Sequence, residues 1–273
     1  MSQEHPFIRL GARLVSLRSP LVMAIVNATP DSFFPPSRAV DRSSLREAYL
    51  RACSEGADIL DIGACSTRPA VQEGRHAPAD AQQEWQRLDT ALSLARDMGV
   101  RLPISVDTFR PEVAQRAIEV YGVDMINDVS GGSPAMFDLV ADSRVAYVLT
   151  YNRRYDAHAS DDLLRDAMDY LSRRVDMLHR RGVSDVIIDP GFGFEQTVQQ
   201  SLDLLSNLHA LQHIGCPILV GISRKRMAYE PEGLTAGTSL PQTLRLERLA
   251  MQQGADILRV HDVAATRQMI NDK

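Results

Sequence analysis

Eight short apolar runs, rich in β-branched residues, recur along the chain: "LVMAIV" (21–26), "ADILDIG" (57–63), "LPISVDT" (102–108), "DMINDVS" (124–130), "VAYVLTY" (145–151), "DVIIDPG" (185–191), "PILVGIS" (217–223) and "ADILRVH" (255–261). Runs of this length read as buried strands. Between them, "RSSLREAYLRACSEG", "RPEVAQRAIEVYG", "DLLRDAMDYLSRRVDMLHRRG" and "SLPQTLRLERLAMQQG" carry apolar residues at helical spacing and end in glycine, a common helix stop. Strands alternating with helices predict parallel pairing. Eight such units in 273 residues predict a closed (β/α)8 TIM barrel rather than an open sheet. Residues 7–18, "FIRLGARLVSLR", predict a short N-terminal β-hairpin turning at Gly11 and capping the barrel bottom. No Pro/Ser/Gly-rich linker divides the chain. One domain over 1–273 is expected, hairpin about 7–18 and barrel about 21–273.

In a parallel barrel the chemistry sits at the C-terminal strand ends. Those ends carry Asn27, Asp61, Asp107, Asn127, Asp128, Asp189, Ser223, Arg224, Lys225, Arg259 and His261. Polar groups so placed cost several kcal/mol unless partnered, so their concentration points to a ligand. Asp107, Asn127, Asp189 and Lys225 offer carboxylate acceptors, an amide and an ammonium, a set suited to a flat heterocycle with alternating donors and acceptors. Arg68, Arg259 and His261, with Asn27, suit a phosphate or pyrophosphate. Such a ligand usually brings Mg²⁺, which prefers oxygen ligands. Lys225 stands out because only it and Lys273 are lysine among 30 basic residues. A compact ammonium on a flexible stem reaches ring atoms that a broad, planar guanidinium does not.

Composition narrows the classes. Net charge is −5 with both signs interspersed, which argues against nucleic-acid binding. No apolar stretch approaches the ~18 residues of a membrane span, and "MSQEHPFIRL" has no signal-peptide core. A soluble, cytoplasmic protein is expected. Cys53, Cys65 and Cys216 form no CxxC pair and read as reduced thiols. The absence of GxxxxGK[ST] and of a strand-borne GxGxxG excludes a P-loop or dinucleotide site. His209 and His213 lack a third ligand, Trp85 reads as a helix residue packed partly on the barrel, and "YNRRYDAHASDD" (151–162) reads as a solvated loop.

Seven segments, "VNATPDSF" (26–33), "DIGACSTRP" (61–69), "ISVDT" (104–108), "INDVSGG" (126–132), "IIDPGFGF" (187–194), "ISRK" (222–225) and "RVHDV" (259–263), resemble in order and spacing the motifs of dihydropteroate synthase. The resemblance implies a homodimeric TIM barrel that condenses 6-hydroxymethyl-7,8-dihydropterin diphosphate with para-aminobenzoate, releasing pyrophosphate. It implies a pterin site at Asp107, Asn127, Asp189 and Lys225. It places the pyrophosphate at Asn27, Arg68, Arg259 and His261, with Mg²⁺ ligated through Asn27. Aminobenzoate, and the sulfonamides that compete with it, falls to Thr67, Pro69, Phe194 and Ser223. Asp107, Lys225, Arg259 and His261 are the expected catalytic charges; no general base is assigned, because a neutral aromatic amine needs positioning more than deprotonation. The chain departs from the family pattern at "SFFPPSR" (32–38) with Pro35 and Pro36, at Ala64 and Cys65, at Asn152 and at Arg226. These departures leave a second reading, a non-catalytic pterin-binding paralogue serving as a binding or regulatory module.

Overall fold

The computed structural model describes residues 7–29, 41–65, 79–152, 154 and 162–272. Two antiparallel strands, β1 (Phe7–Leu10) and β2 (Arg13–Ser16), form the expected hairpin. Gly11 turns it with φ +58, a left-handed conformation that suits a residue without Cβ.

Eight parallel strands follow: β3 (Leu21–Asn27), β4 (Ile59–Gly63), β5 (Ile104–Asp107), β6 (Met125–Asp128), β7 (Ala146–Thr150), β8 (Val186–Asp189), β9 (Leu219–Val220) and β10 (Ile257–Val260). Neighbours pair in chain order from β3 to β8, and β10 lies between β9 and β3. The ring closes where Ile188 bridges Ile218 in parallel. All eight apolar runs therefore become barrel strands, as their alternation with helices predicts.

Helices α1 (Arg42–Ser54), α2 (Ala81–Asp97), α3 (Pro111–Tyr121), α4 (Pro134–Ser143), α5 (Leu163–Arg180), α6 (Val198–Ser206), α7 (Arg226–Tyr229), α8 (Leu240–Gln252) and α9 (Val263–Asn271) connect the strands. Their ends follow local chemistry. The Asp41 carboxylate accepts the N–H groups of Ser43 and Ser44 to start α1. Thr197 and Gln200 form a reciprocal capping box at α6.

Successive strand residues face opposite ways, and this alternation divides the core in two. Val22, Ala24, Val26, Leu60, Ile62 and Ile126 point outward into a layer shared with the helices. Leu21, Met23, Ile59, Met125, Ile187 and Ile257 point into the lumen, where Ile8, Leu10 and Leu17 of the hairpin segment meet them. The hairpin thus plugs the N-terminal end of the barrel with apolar side chains. Leu10→Ala, deleting a fully buried side chain of that plug, is expected to cost about 2–5 kcal/mol. A fall in the urea midpoint is the readout; an unchanged midpoint would show that the plug contributes little.

Candidate active site

The same two-residue alternation carries the inward register from the apolar plug to the upper lumen. Ile59 is followed on that face by Asp61 and Gly63, Met125 by Asn127, Ile187 by Asp189, and Ile257 by Arg259. Ser105 and Asp107 do the same on β5. The strands thus raise polar side chains around one C-terminal mouth, at the ends the sequence indicates.

Arg259 is the centre of the arrangement. Its Nε donates to Asp61 Oδ2 at 2.6 Å and its Nη2 to Asp107 Oδ2 at 2.8 Å. Asp61 is fully buried and also accepts from Ser105 Oγ at 2.6 Å and Asn127 Nδ2 at 3.1 Å. With its nitrogen so engaged, the Asn127 amide is left with a buried oxygen, Oδ1, that has no hydrogen-bond partner among the described residues. Sequence reasoning placed Asp61 near its strand end without a contact and overlooked Ser105. Their even spacing from Ile59 and Asp107 was the available signal.

Lys225 closes the opposite side. Arg224 takes a left-handed conformation, φ 57, turning the chain just after β9. The Lys225 ammonium donates to the Phe192 carbonyl at 2.6 Å and lies 5.2 Å from the centre of the Phe194 ring. Burial brings its pKa down to about 8, an effect that Asp189 opposes and Arg259 adds to. Asp189 is pushed above the usual carboxylate range by burial, against the pull of Lys225 and of the Gly191 N–H, which donates to its Oδ1 at 2.7 Å. Gly191 is required there, because a Cβ would overlap the Tyr151 carbonyl. Burial also raises Asp107, with Arg259 opposing the rise and Asp61 reinforcing it. For Arg259 burial acts against the charge, yet the combined pull of Asp61 and Asp107 holds its pKa above the ordinary guanidinium value.

At the rim, Asn27 ends β3 with an exposed side chain. Ser223 is buried, and its Oγ accepts the His261 backbone N–H at 3.2 Å and lies 3.1 Å from His261 Nδ1. Thr67, Arg68 and Pro69, like Pro35 and Pro36, lie outside the described residues. Among the described residues no cluster of three or more His, Cys, Asp or Glu side chains is placed to hold a metal.

The structure bears out some of the remaining expectations and corrects others. Arg259, expected to meet an anion, is itself paired with two carboxylates, Asp61 and Asp107. Asp128 serves the fold, accepting from Ser130 and the Tyr147 hydroxyl. Arg224 pairs with Asp262 away from Lys225's contacts. Tyr151 belongs to no solvated loop: it is fully buried, edge-on to Tyr170 at 5.2 Å. The Asn152 amide is used by the backbone, donating to Val129 O and accepting from Arg154 N–H. Arg226 points outward and pairs with Glu230. Trp85 is buried in the helix layer. Cys53, Cys65 and Cys216 are free thiols.

Comparison with known proteins gives a consistent result. Residues 23–261 match the family described as pterin binding enzyme. The chain is 34% identical over 261 residues to a dihydropteroate synthase of Bacillus subtilis (strain 168), covering 91% of this chain and 86% of that one. A solved structure of Xanthomonas albilineans dihydropteroate synthase with 4-aminobenzoic acid superposes with a TM-score of 0.85 at 37% identity, over 97% of this chain and 96% of that one. Another from the same organism, in complex with 7,8-dihydropteroate, gives 0.82 at 33% identity, over 97% and 96%.

Proposed function

The chain belongs to the pterin-binding enzyme family, and from that membership we propose that it acts as a dihydropteroate synthase. It joins 6-hydroxymethyl-7,8-dihydropterin diphosphate to para-aminobenzoate and releases pyrophosphate. One observation carries the reading beyond likeness: Asp107, Asn127, Asp189, Lys225 and Arg259 belong to one lumen mouth, where the four charged groups act on one another electrostatically and Asn127 joins them through Asp61. Two carboxylates, an amide oxygen and an ammonium suit a ring that presents N–H groups beside acceptor atoms.

The proposed chemistry is a displacement at the pterin methylene. The amine nitrogen forms a C–N bond as the C–O bond to the diphosphate breaks. The diphosphate leaves with that electron pair, and the amine proton passes to solvent. Positive charge grows on the ring system, where Asp107 and Asp189 oppose it in a preorganised setting. Negative charge grows on the leaving group, which we assign to Asn27, Arg68, His261 and the outer edge of Arg259. Arg259 can serve both ends because Nε and Nη2 are taken by Asp61 and Asp107, while Nη1 makes no hydrogen bond among the described residues. Thr67, Pro69, Phe194 and Ser223 are the proposed aminobenzoate frame, with Phe194 already beside Lys225.

Mg²⁺ fits this site only as an ion shared with the diphosphate. Asn27 offers one exposed oxygen donor, and Mg²⁺ commonly takes few protein ligands, completing its shell with phosphate oxygens and water. When bound, the ion supplies charge neutralisation on the leaving group. The reading implies a cytoplasmic enzyme. No described helix is long and apolar enough to cross a membrane. A homodimer is the proposed assembly, open to light scattering.

The test is pyrophosphate release from the pterin diphosphate plus para-aminobenzoate and Mg²⁺. Release with formation of 7,8-dihydropteroate is expected; pterin binding without release would replace the enzyme by a binding module. A pH profile adds a second check. Lys225 has a pKa below its free value, so its ammonium form is complete well below about pH 8 and is lost as pH rises through that value. We therefore expect kcat/KM to fall along that limb, and Lys225→Arg, which stays charged, to lack it. A limb at the same pH in Lys225→Arg would assign it to another group.

A further inference from the structure

Asp61 has no part in the chemistry above, yet its carboxylate is tied to three other polar side chains of the mouth. Oδ1 accepts from Ser105, and Oδ2 accepts from both Asn127 Nδ2 and Arg259 Nε. Its residue has 0% exposure, which keeps it beneath the side chains a ligand would meet. An ionised carboxylate can only accept hydrogen bonds. The nitrogen of the Asn127 amide must therefore face Asp61, and the oxygen must face away. That oxygen is buried and has no hydrogen-bond partner among the described residues. An asparagine free to turn over could offer either end of its amide; this one is confined to a single polarity.

We propose that Asp61 is a positioning residue that fixes Asn127 as a hydrogen-bond acceptor and aims the Arg259 guanidinium across the mouth. The ring edge that meets Asn127 must then bring an N–H, and a ring presenting a lone pair there is rejected. Ser105 supports this role by holding the second oxygen of the carboxylate, which fixes its rotation. The inference rests on the pterin reading of the site and adds the residue that sets its hydrogen-bond polarity.

A double-mutant cycle tests it, with calorimetric binding of 6-hydroxymethyl-7,8-dihydropterin to wild type, Asp61→Asn, Asn127→Ala and the double variant. Asp61→Asn removes the charge that orients the amide, and a loss in affinity of about tenfold or more is expected. If Asp61 acts through Asn127, the same substitution made in Asn127→Ala costs roughly threefold or less, because the amide it would orient is gone. General damage to the fold would instead add fully to the Asn127→Ala loss. Equal losses in the two backgrounds, or wild-type affinity in Asp61→Asn, overturn the proposal. Should Asp61→Asn fail to fold, Ser105→Ala runs through the same cycle. It keeps the carboxylate but releases one oxygen, and a loss of about two- to tenfold is expected that again shrinks without Asn127. Wild type that binds no pterin at all overturns the functional reading and this inference together; wild type that binds, with additive losses, overturns this inference alone.

Discussion

Asp107→Asn is expected to lower pyrophosphate release by roughly two to three orders of magnitude, the loss typical when one preorganised electrostatic group is removed from a transition state. The substitution keeps shape and one acceptor oxygen, so the fold is expected to survive. Two features support that. Arg259 retains its 2.6 Å contact with the fully buried Asp61, and the carboxylate being removed is one whose charge burial already disfavours. The expected signature is therefore a collapse of kcat with a thermal midpoint near that of wild type. Turnover within a few-fold of wild type would remove Asp107 from the proposed stabilisation of the pterin cation.

Arg259→Ala is expected to damage both activity and stability. It strips the cation from Asp61 and Asp107, leaving two carboxylates in the lumen without their counter-ion. Breaking a buried pair from one side costs about 3–5 kcal/mol, because the orphaned charge remains. The sign of the pH dependence follows. Burial already raises Asp107 above its usual value, and Arg259 is the main force opposing that rise. Without it the folded-state pKa climbs further above the unfolded one. Such a group costs stability above its folded pKa and is relieved as pH falls through it. Relative to wild type, Arg259→Ala should thus be most destabilised at neutral pH and recover part of the deficit in mild acid. Urea midpoints measured at both pH values would show it; an identical deficit at both would mean that the carboxylates are not compensated by Arg259.

The barrel was legible in the sequence because its signal is local. Apolar β-branched runs mark strands, glycines mark helix ends, and eight repeats of the unit suit ring closure. The mouth was legible in part for the same reason, since strand alternation tells which of Ile187, Ile188 and Asp189 share a face. Pairing between distant segments was not. Arg259 and Asp61 lie 198 positions apart, and nothing in either neighbourhood says that a cation expected to meet an anion would be held by carboxylates. Tyr151 misled because it follows a strand and precedes a charged run, while its ring is drawn inward by Tyr170. Asn152 fills a family position with an amide whose two ends are consumed by backbone groups, a use that no spacing rule reveals. Asp128 differs from Asn127 by one step along β6 and therefore faces the opposite side of the sheet.

The apolar stopper that Ile8, Leu10 and Leu17 insert among the lower strand residues makes the lumen a well with a closed floor. Traffic in such a well is last in, first out. On the proposed reading, a ring seated deep against Asn127 loads before anything that sits above it, and the joined product withdraws by the route its parts used to enter.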